Sequence, residues 1–451
     1  HPIDHLINKL TFSPKLTLLG LFFCLSIGII LNSYLHPYGY LTPDSNNYLR
    51  LAKSIAQGNG LYVLTPDFES SDQPRFFATW PIGYPALVAI FHLITGIKIF
   101  WASKILNILI AGVMLWLMWR VFGNKAWLYG SLLATASFIE LFSYTFSEIP
   151  FMLSLFGFPL ILYHYFSPDF HNRSRNVISL GFLILTLFIF RYIGAFSLIV
   201  AGIYFLWYWY HHKKLDWQLL MVLFSTSALM GLYLWNNYLE TGAITGYARP
   251  EALQSRFEQF YQLVRSVLYE LCFPLTKKFA WLSLVITGIV SQILLFLLFN
   301  KPKVQYNLNR SELNAWPYFL VSGFVYLVCL VVLRLNFIFD DFNFRLLAPA
   351  TLLLGIGGIN LIHCRYPQAF KALSRLMLVL MVASLLINIP VKHLYNHWFE
   401  SNQPTYPRSM AKVKSIYDSI KRPAVIGFGD GRYIFQKPKI YTPHPYGSPK
   451  A

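Results

Sequence analysis

Eleven long apolar runs constrain this chain of 451 residues more than any other feature. An α-helix needs about 20 apolar residues to cross a bilayer, and fewer where its ends reach the headgroups. Only 12% of the residues are charged, whereas a soluble domain has about 25%. We therefore predict an all-α polytopic membrane protein with about 11 transmembrane helices (range about 10–13). The runs are 16–36, 100–119, 126–146, 149–167, 176–190, 193–210, 217–238, 279–299, 315–335, 346–363 and 372–390.

One further apolar stretch, 81–97, fits either a short span or a helix at the interface. The positive-inside rule decides between them, because Lys and Arg concentrate in short cytoplasmic loops. If 81–97 does not cross, basic pairs such as Arg120/Lys125 and Lys213/Lys214 all fall inside, and most acids fall outside. This predicts a cytoplasmic N-terminus, a re-entrant or juxtamembrane 81–97, and an external C-terminus.

The predicted organisation is one membrane domain with a small outer appendage and no internal repeat. The first apolar run is too long for a cleaved signal peptide, so we expect a retained span. Helical periodicity recurs outside the spans at 251–271 and 408–421, and a strand-like run follows Pro423. The predicted parts are the transmembrane domain 1–390, with a first outer loop 37–99 and a second large outer loop 239–278, and the external segment 391–451.

The basic excess needs a separate explanation: Lys and Arg total 37 and Asp and Glu total 19, giving a net charge of +18. Cytoplasmic anchoring and contact with anionic membrane lipids are two explanations. Binding of a phosphorylated substrate is a third. Nucleic acid is not an expected partner, because no soluble domain carries aromatic and basic patches.

The four cysteines show neither metal-ligand spacing nor a disulfide framework.

The first outer loop contains the strongest local pattern. Tyr48, Leu51, Ala52 and Ile55 recur at i, i+3, i+4 and i+7, which predicts an amphipathic helix on the membrane surface. Asp44 lies at the start of this helix. In isolation, an Asp after Pro at a helix start indicates an N-cap, and a catalytic role is the alternative.

Several motifs follow one another in a recognisable order. They are the D-x-x-x-Y-x-x-x-A pattern from Asp44 to Ala52, the turn at 58–60, the Trp-Pro motif at 80–85, the basic-Phe-Gly turn at 120–123, the Ser/Thr-Glu segment at 143–148 and the Arg-to-Pro motif at 344–349. Between residues 44 and 349, this order resembles the GT-C superfamily of multi-span glycosyltransferases that use polyprenyl-phosphate sugars. It is most similar to the protein O-mannosyltransferase and lipid A aminoarabinose transferase group.

Many members have two adjacent acids in the first loop, but here Asp44 is followed by Ser45. No cofactor is predicted, and a divalent metal is conceivable but not supported by an acidic pair.

The resemblance implies an inverting transfer of a hexosyl or pentosyl unit. The donor would be a polyprenyl-phosphate-linked sugar, and the acceptor a lipid, glycan or protein on the outer (periplasmic, extracellular or lumenal) face. The location would be a prokaryotic plasma (inner) membrane. Asp44 would be the catalytic base that takes the proton of the acceptor hydroxyl.

Cations at the outer ends of spans are candidates for binding the donor phosphate. Arg191 and Arg345 lie at such positions, and Lys278 faces outward at the start of a predicted span. The alternatives are snorkelling to the headgroups, pairing of the arginines with Asp340 or Asp341, and simple anchoring by Lys278.

Candidate substrate-binding residues lie in the same outer segments. They could contact sugar or acceptor hydroxyls, although interface aromatics, arginine-paired acids and solvated turns are the structural alternatives. The candidates are Tyr48, Arg75, Trp80, Tyr84, Glu148 and Asp341.

Two other function classes share this topology. A transporter or flippase of lipid-linked glycans would favour mid-membrane polar residues and related halves, which this sequence lacks. A polymerase or ligase of such glycans would favour a large late outer loop, whereas the signal here lies in the first loop.

Overall fold

The computed structural model describes residues 13–63, 75–167, 173–247, 251–252, 254–271, 288–290, 292–293, 313–337, 340–388, 391–399, 405–419, 426–428 and 433–435. This part of the chain is almost entirely helical. Two antiparallel hairpins pair β1 (Tyr62–Val63) with β2 (Arg75–Phe76) and β3 (Ile426–Phe428) with β4 (Tyr433–Phe435). The helices are α1 (Pro14–Leu35), α2 (Pro43–Ala56), α3 (Gly83–Thr95), α4 (Ile99–Phe122), α5 (Ala126–Gly130), α6 (Ala136–Ser143), α7 (Glu148–Phe166), α8 (Arg173–Phe190), α9 (Phe196–His212), α10 (Trp217–Thr241), α11 (Arg256–Leu271), α12 (Trp316–Asn336), α13 (Phe344–Arg365), α14 (Pro367–Ile387), α15 (Val391–Phe399) and α16 (Tyr406–Ser419).

Within the described residues, nine helical segments are long and apolar enough to cross a membrane. They confirm an all-α polytopic membrane protein. The predicted span 279–299 lies mostly outside the described residues, so the count of about 11 stays a prediction. The spans formed by α7 and α13 are the most buried of the nine, which makes these two helices the centre of the bundle.

The run 126–146, predicted as one continuous span, is broken in the structure. Helix α5 gives way to a 3-10 turn, and the chain bends at Thr135, whose side chain caps α6 by accepting a hydrogen bond from the Phe138 amide (3.2 Å). The broken segment still returns to the end of the bundle at which α4 begins. Ser103 in the first turns of α4 hydrogen-bonds to Thr145, just after α6 (3.0 Å).

Helix α3 is too short to cross a bilayer. Its 13 residues span about 20 Å, against a hydrocarbon thickness of about 30 Å. Gly96, where φ is +69°, caps its C-terminal end. The helix begins at Gly83, where a Cβ would lie 2.7 Å from the Ile189 carbonyl oxygen at the end of α8. This geometry agrees with the expectation that 81–97 does not cross.

Charged residues separate between the two ends of the bundle. Asp44, Glu148, Arg191 and Arg345 converge at one end, which we call the site end. The helix ends on the other side of the bundle carry a mainly basic set, consistent with the loop charges used to orient the chain. Which end faces the cytoplasm stays a prediction. The basic set is Lys15, Arg120, Lys125, Arg173, Lys213, Lys214 and Arg365.

Candidate active site

Four charged side chains meet because each stands where a helix begins or ends. Asp44 is in the first turn of α2, Glu148 is the first residue of α7, and Arg345 is the second residue of α13. Arg191 follows α8 directly. A sharp turn follows it, and at Gly194 only glycine fits, since a Cβ would lie 2.3 Å from the Leu187 carbonyl oxygen.

Arg345 is the centre of the cluster. Its Nη1 donates to Asp44 Oδ2 (2.6 Å) and to Asp340 Oδ2 (3.2 Å), and its Nε donates to Glu148 Oε1. The guanidinium Cζ lies 4.2 Å from the centre of the Phe146 ring. A cation is unfavourable in the first turn of a helix, because the helix dipole is positive there. The three carboxylates offset this cost, so Arg345 is held in place by charge pairing.

Glu148 is completely buried and lies between both arginines. Arg191 Nη1 lies 3.0 Å from Glu148 Oε1, but the angle does not make a hydrogen bond. That Nη1 is a buried donor without a hydrogen-bond acceptor among the described residues. A buried carboxylate is tolerated only when cations and hydrogen bonds compensate its desolvation. Ser147 supplies one such bond, from its hydroxyl to Glu148 Oε2 (3.3 Å).

Asp44 is not the N-cap of α2. Thr42 is the cap, and its hydroxyl accepts a hydrogen bond from the Ser45 amide (3.2 Å). The Asp44 carboxylate faces Arg345 and is 25% exposed. Its second oxygen, Oδ1, forms no hydrogen bond within the described part of the chain. The capping interpretation is therefore wrong, and Asp44 has an oxygen available to accept a proton.

Asp340 forms the more open side of the cluster, with its side chain about half exposed. Partial burial raises the pKa of Asp340, the opposing effect of Arg345 lowers it, and the Asp44 and Glu148 carboxylates raise it. The five charged groups carry three negative and two positive charges, which leaves a net charge of minus one. The cluster thus consists of two guanidiniums and three carboxylates, and Arg345 forms ion pairs with all three carboxylates.

An aromatic wall lines the cluster beneath α2. The Tyr48 hydroxyl hydrogen-bonds to Ser147 (3.0 Å), and the Tyr48 ring makes edge contacts with Trp80 and Tyr84 at 6.1 and 5.8 Å between ring centres. Burial raises the pKa of Tyr48, so this phenol is neutral. Tyr84 is fully buried, and its hydroxyl donates to Asn107 (2.9 Å). Tyr48 thus reaches the residue next to Glu148, while Trp80 and Tyr84 pack against its ring.

Two further candidates, Arg75 and Asp341, lie outside the group of four converging charges. Arg75 is exposed on β2, and Lys278 lies outside the described residues. Asp341 forms an ion pair with the buried Arg334 (2.9 Å), while its neighbour Asp340 turns to Arg345. The structure therefore brings Asp340, rather than Asp341, to the centre.

Sequence reasoning missed two polar residues that hold the site together. Lys104 is fully buried, and its Nζ donates to the Ser143 carbonyl (2.6 Å) and the Tyr40 carbonyl (3.3 Å). Asn107, one turn along α4, donates to the carbonyls on either side of Ser143, at 3.0 and 2.7 Å. Both side chains fix the segment between α6 and α7 that leads into Glu148. The sequence feature that could have identified them is a lysine and an asparagine within the otherwise apolar run 100–119.

No group of three or more His, Cys, Asp or Glu side chains is arranged to hold a metal in the part of the chain that the structure describes. The three carboxylates converge on a guanidinium instead.

A second buried acid, Glu270, attaches α11 to the bundle. Its carboxylate accepts hydrogen bonds from Ser137 on α6 (2.7 Å) and Thr351 on α13 (3.0 Å). Burial raises the pKa of Glu270 to about 7, the two hydroxyls oppose the shift, and Glu140 on α6 adds to it.

This geometry predicts that α11 binds the bundle less firmly as the pH rises. Because the docked pKa of Glu270 lies above its ordinary value of about 4.5, docking is favoured below that ordinary value. It weakens by up to about tenfold per pH unit as the pH approaches 7. Hydrogen–deuterium exchange of α11 amides, corrected for intrinsic rates, should rise from pH 5 to pH 8. Glu270→Gln should remove the dependence, and an unchanged pH profile in that variant would contradict the assignment.

Comparison with known proteins gives a structural match but no sequence match. No family model matches the chain, and neither does any curated protein. The crystal structure of ArnT from Cupriavidus metallidurans bound to undecaprenyl phosphate matches with a TM-score of 0.51 and 12% identity, covering 91% of this chain and 82% of that chain. ArnT from the same organism in the apo state matches with a TM-score of 0.48 and 13% identity, covering 84% of this chain and 73% of that chain. The first match confirms the predicted GT-C fold.

Proposed function

We propose that this protein is an integral-membrane glycosyltransferase that transfers a sugar from a polyprenyl-phosphate donor to an acceptor hydroxyl. The observation that carries the proposal is the convergence of a partly exposed carboxylate, Asp44, and two guanidiniums, Arg191 and Arg345, at one end of the bundle. The shared fold with ArnT, a protein crystallised with undecaprenyl phosphate, supports this class of donor.

The arginines would stabilise the leaving group. As the bond between the anomeric carbon and the phosphate oxygen breaks, its electron pair moves onto the phosphate. Preorganised cationic donors at that position lower the barrier. Arg191 suits this role because its buried Nη1 lacks a hydrogen-bond acceptor among the described residues.

Asp44 would act as the base on the other reacting partner. The acceptor oxygen forms the new bond to the anomeric carbon, and its proton passes to the Asp44 carboxylate. A displacement in one step inverts the anomeric centre and requires only this one carboxylate.

Arg345 would couple donor binding to the activation of Asp44. It now shares its Nη1 between Asp44 and Asp340. A donor phosphate would compete for the same guanidinium and release Asp44 from its ion pair. Since an ion pair with a cation makes a carboxylate less basic, this release would strengthen Asp44 as a base when the donor is bound.

The site end would face the outside of a prokaryotic inner membrane, with the N-terminus in the cytoplasm. The basic set at the opposite end supports this orientation. The acceptor would be a lipid, glycan or protein. A flippase of lipid-linked glycans is less well supported, because the described charges of the cluster lie at one end of the bundle instead of along a path through it.

Binding of undecaprenyl phosphate tests the proposal directly. We expect the purified protein to bind this lipid and Arg191→Gln to weaken binding about 10- to 100-fold, because charge-assisted hydrogen bonds contribute about 1.5–3 kcal/mol. Native mass spectrometry can measure the change. Arg120→Gln at the opposite end is the matched control and should bind like wild type. Failure of the wild-type protein to bind the lipid would overturn the proposal.

A further inference from the structure

Helix α11 is amphipathic, and its polar side faces the protein. Phe257, Phe260 and Tyr261 are 80%, 62% and 58% exposed, whereas Gln259 and Ser266 are buried. Such an arrangement is expected where the outer face of a helix contacts membrane hydrocarbon. It leaves a polar stripe turned inward, formed by Gln259, Gln262, Ser266 and Glu270.

Two amide groups of this stripe have unfulfilled hydrogen-bonding capacity. The side-chain oxygens of Gln259 and Gln262 are buried without a hydrogen-bond donor in the described residues. A buried carbonyl oxygen without a donor has lost its hydrogen bonds to water without replacement, so such groups are uncommon unless a bound water or a ligand supplies the donor. Gln259 is 1% exposed, and its amide nitrogen donates to the Gln254 carbonyl (3.2 Å).

The stripe contacts the loop that joins Asp340 to Arg345. The Ser266 hydroxyl donates to the carbonyl of Phe342 (2.6 Å), which is two residues from Asp340 and three from Arg345. One turn before Ser266 on α11 comes Gln262. A sugar attached directly to a phosphate at Arg345 would lie in the vicinity of this part of α11.

The chemistry of the stripe favours neutral hydroxyl groups over phosphate. Amide oxygens accept hydrogen bonds, the Ser266 hydroxyl accepts and donates, and the four stripe residues include no cation. Sugar hydroxyls are donors that match these acceptors. Phosphate oxygens carry no proton to donate at neutral pH and match the two arginines instead.

We infer that the inward stripe of α11, through Gln259 and Gln262, binds the hydroxyl groups of the donor sugar, while Arg191 and Arg345 bind its phosphate. This inference rests on the proposed function. It assigns the recognition of the sugar to a helix remote in sequence from the predicted catalytic loop.

Binding of bare and sugar-bearing lipids separates the two roles. The probes are undecaprenyl phosphate and a panel of undecaprenyl-phosphate-linked sugars comprising a hexose, a pentose and an amino sugar. We expect the wild-type protein to prefer at least one glycosylated lipid over the bare lipid. Gln259→Met and Gln262→Met should each reduce that preference about 3- to 10-fold, as expected for one neutral hydrogen bond. Their affinity for bare undecaprenyl phosphate should stay within about twofold of wild type.

Control variants distinguish this outcome from misfolding and from failure of the proposed function. Tyr261→Phe, on the outward face of α11, should keep the preference. The melting temperature of Gln262→Met should equal or exceed that of wild type, since a buried oxygen without a donor is removed. If the Met variants keep the sugar preference, or if the wild-type protein prefers no glycosylated lipid while binding the bare one, the inference is wrong. If the wild-type protein binds no undecaprenyl phosphate, the proposed function fails and the inference fails with it.

Discussion

Replacing Asp44 by asparagine is expected to reduce sugar transfer about 10²- to 10⁴-fold, the contribution of a positioned general base. The fold should survive, because the asparagine side-chain oxygen can still accept the hydrogen bond that Arg345 Nη1 gives to Asp44 Oδ2 (2.6 Å). Binding of undecaprenyl phosphate should persist for the same reason. The measurement is the rate at which membranes containing the variant convert lipid-linked sugar to free polyprenyl phosphate.

Asp340→Asn is the matched control for this variant. Asp340 contacts the same Arg345 atom at 3.2 Å, but its side chain is twice as exposed as that of Asp44. We expect less than about a tenfold loss of transfer, since this carboxylate assists the arginine without taking the proton. Near-normal turnover in Asp44→Asn, or an equal loss in both variants, would remove Asp44 from its role as the base.

The position of the cluster could be predicted because hydropathy fixes where helices end. Glu148, Arg191 and Arg345 each border an apolar run, Asp44 lies in the loop that follows the first run, and the charges of the short loops assign these positions to one side of the membrane. Residues at the same depth of a bundle are natural neighbours. The sequence thus indicated a shared end, and the structure shows ion pairs between these four side chains.

The choice among adjacent residues could not be predicted in the same way. Thr42 and Asp44 are both good capping residues, and only the backbone conformation of the structure shows that Thr42 caps α2. The doublet Asp340-Asp341 divides between Arg345 and Arg334. The pairs are crossed along the chain, since the earlier acid pairs with the arginine of α13 and the later acid with that of α12. The division therefore depends on how the loop and the two helices pack.

The contacts made by polar residues inside apolar runs could not be predicted from the sequence either. Lys104 is counted as one charge in a span, yet it donates to the carbonyls of Tyr40 and Ser143, which lie in separate segments of the chain. The break at Thr135 is similar, since an apolar run gives no sign that a cap will interrupt it. Hydropathy reports average composition, whereas these contacts depend on individual hydrogen bonds.

Glu148→Gln is expected to be the most destabilising single change at the site, by about 3–5 kcal/mol, because removing one partner of a buried ion pair leaves the other charge uncompensated. Here two guanidiniums, Arg191 and Arg345, would face each other around a neutral amide. Thermal unfolding in detergent measures the loss. Glu240→Gln, whose carboxylate accepts a hydrogen bond from the exposed Tyr62 hydroxyl, is the control and should change stability by less than about 1 kcal/mol.

Undecaprenyl phosphate should partly restore the stability of Glu148→Gln. A phosphate between the arginines would replace the missing negative charge, so the lipid should raise the melting temperature of the variant more than that of wild type. The same exchange of carboxylate for phosphate is what the proposed mechanism requires of Arg345. A variant as stable as wild type would show that Glu148 does not compensate the arginines. A lipid-induced shift no larger than that of wild type would show that the phosphate binds elsewhere.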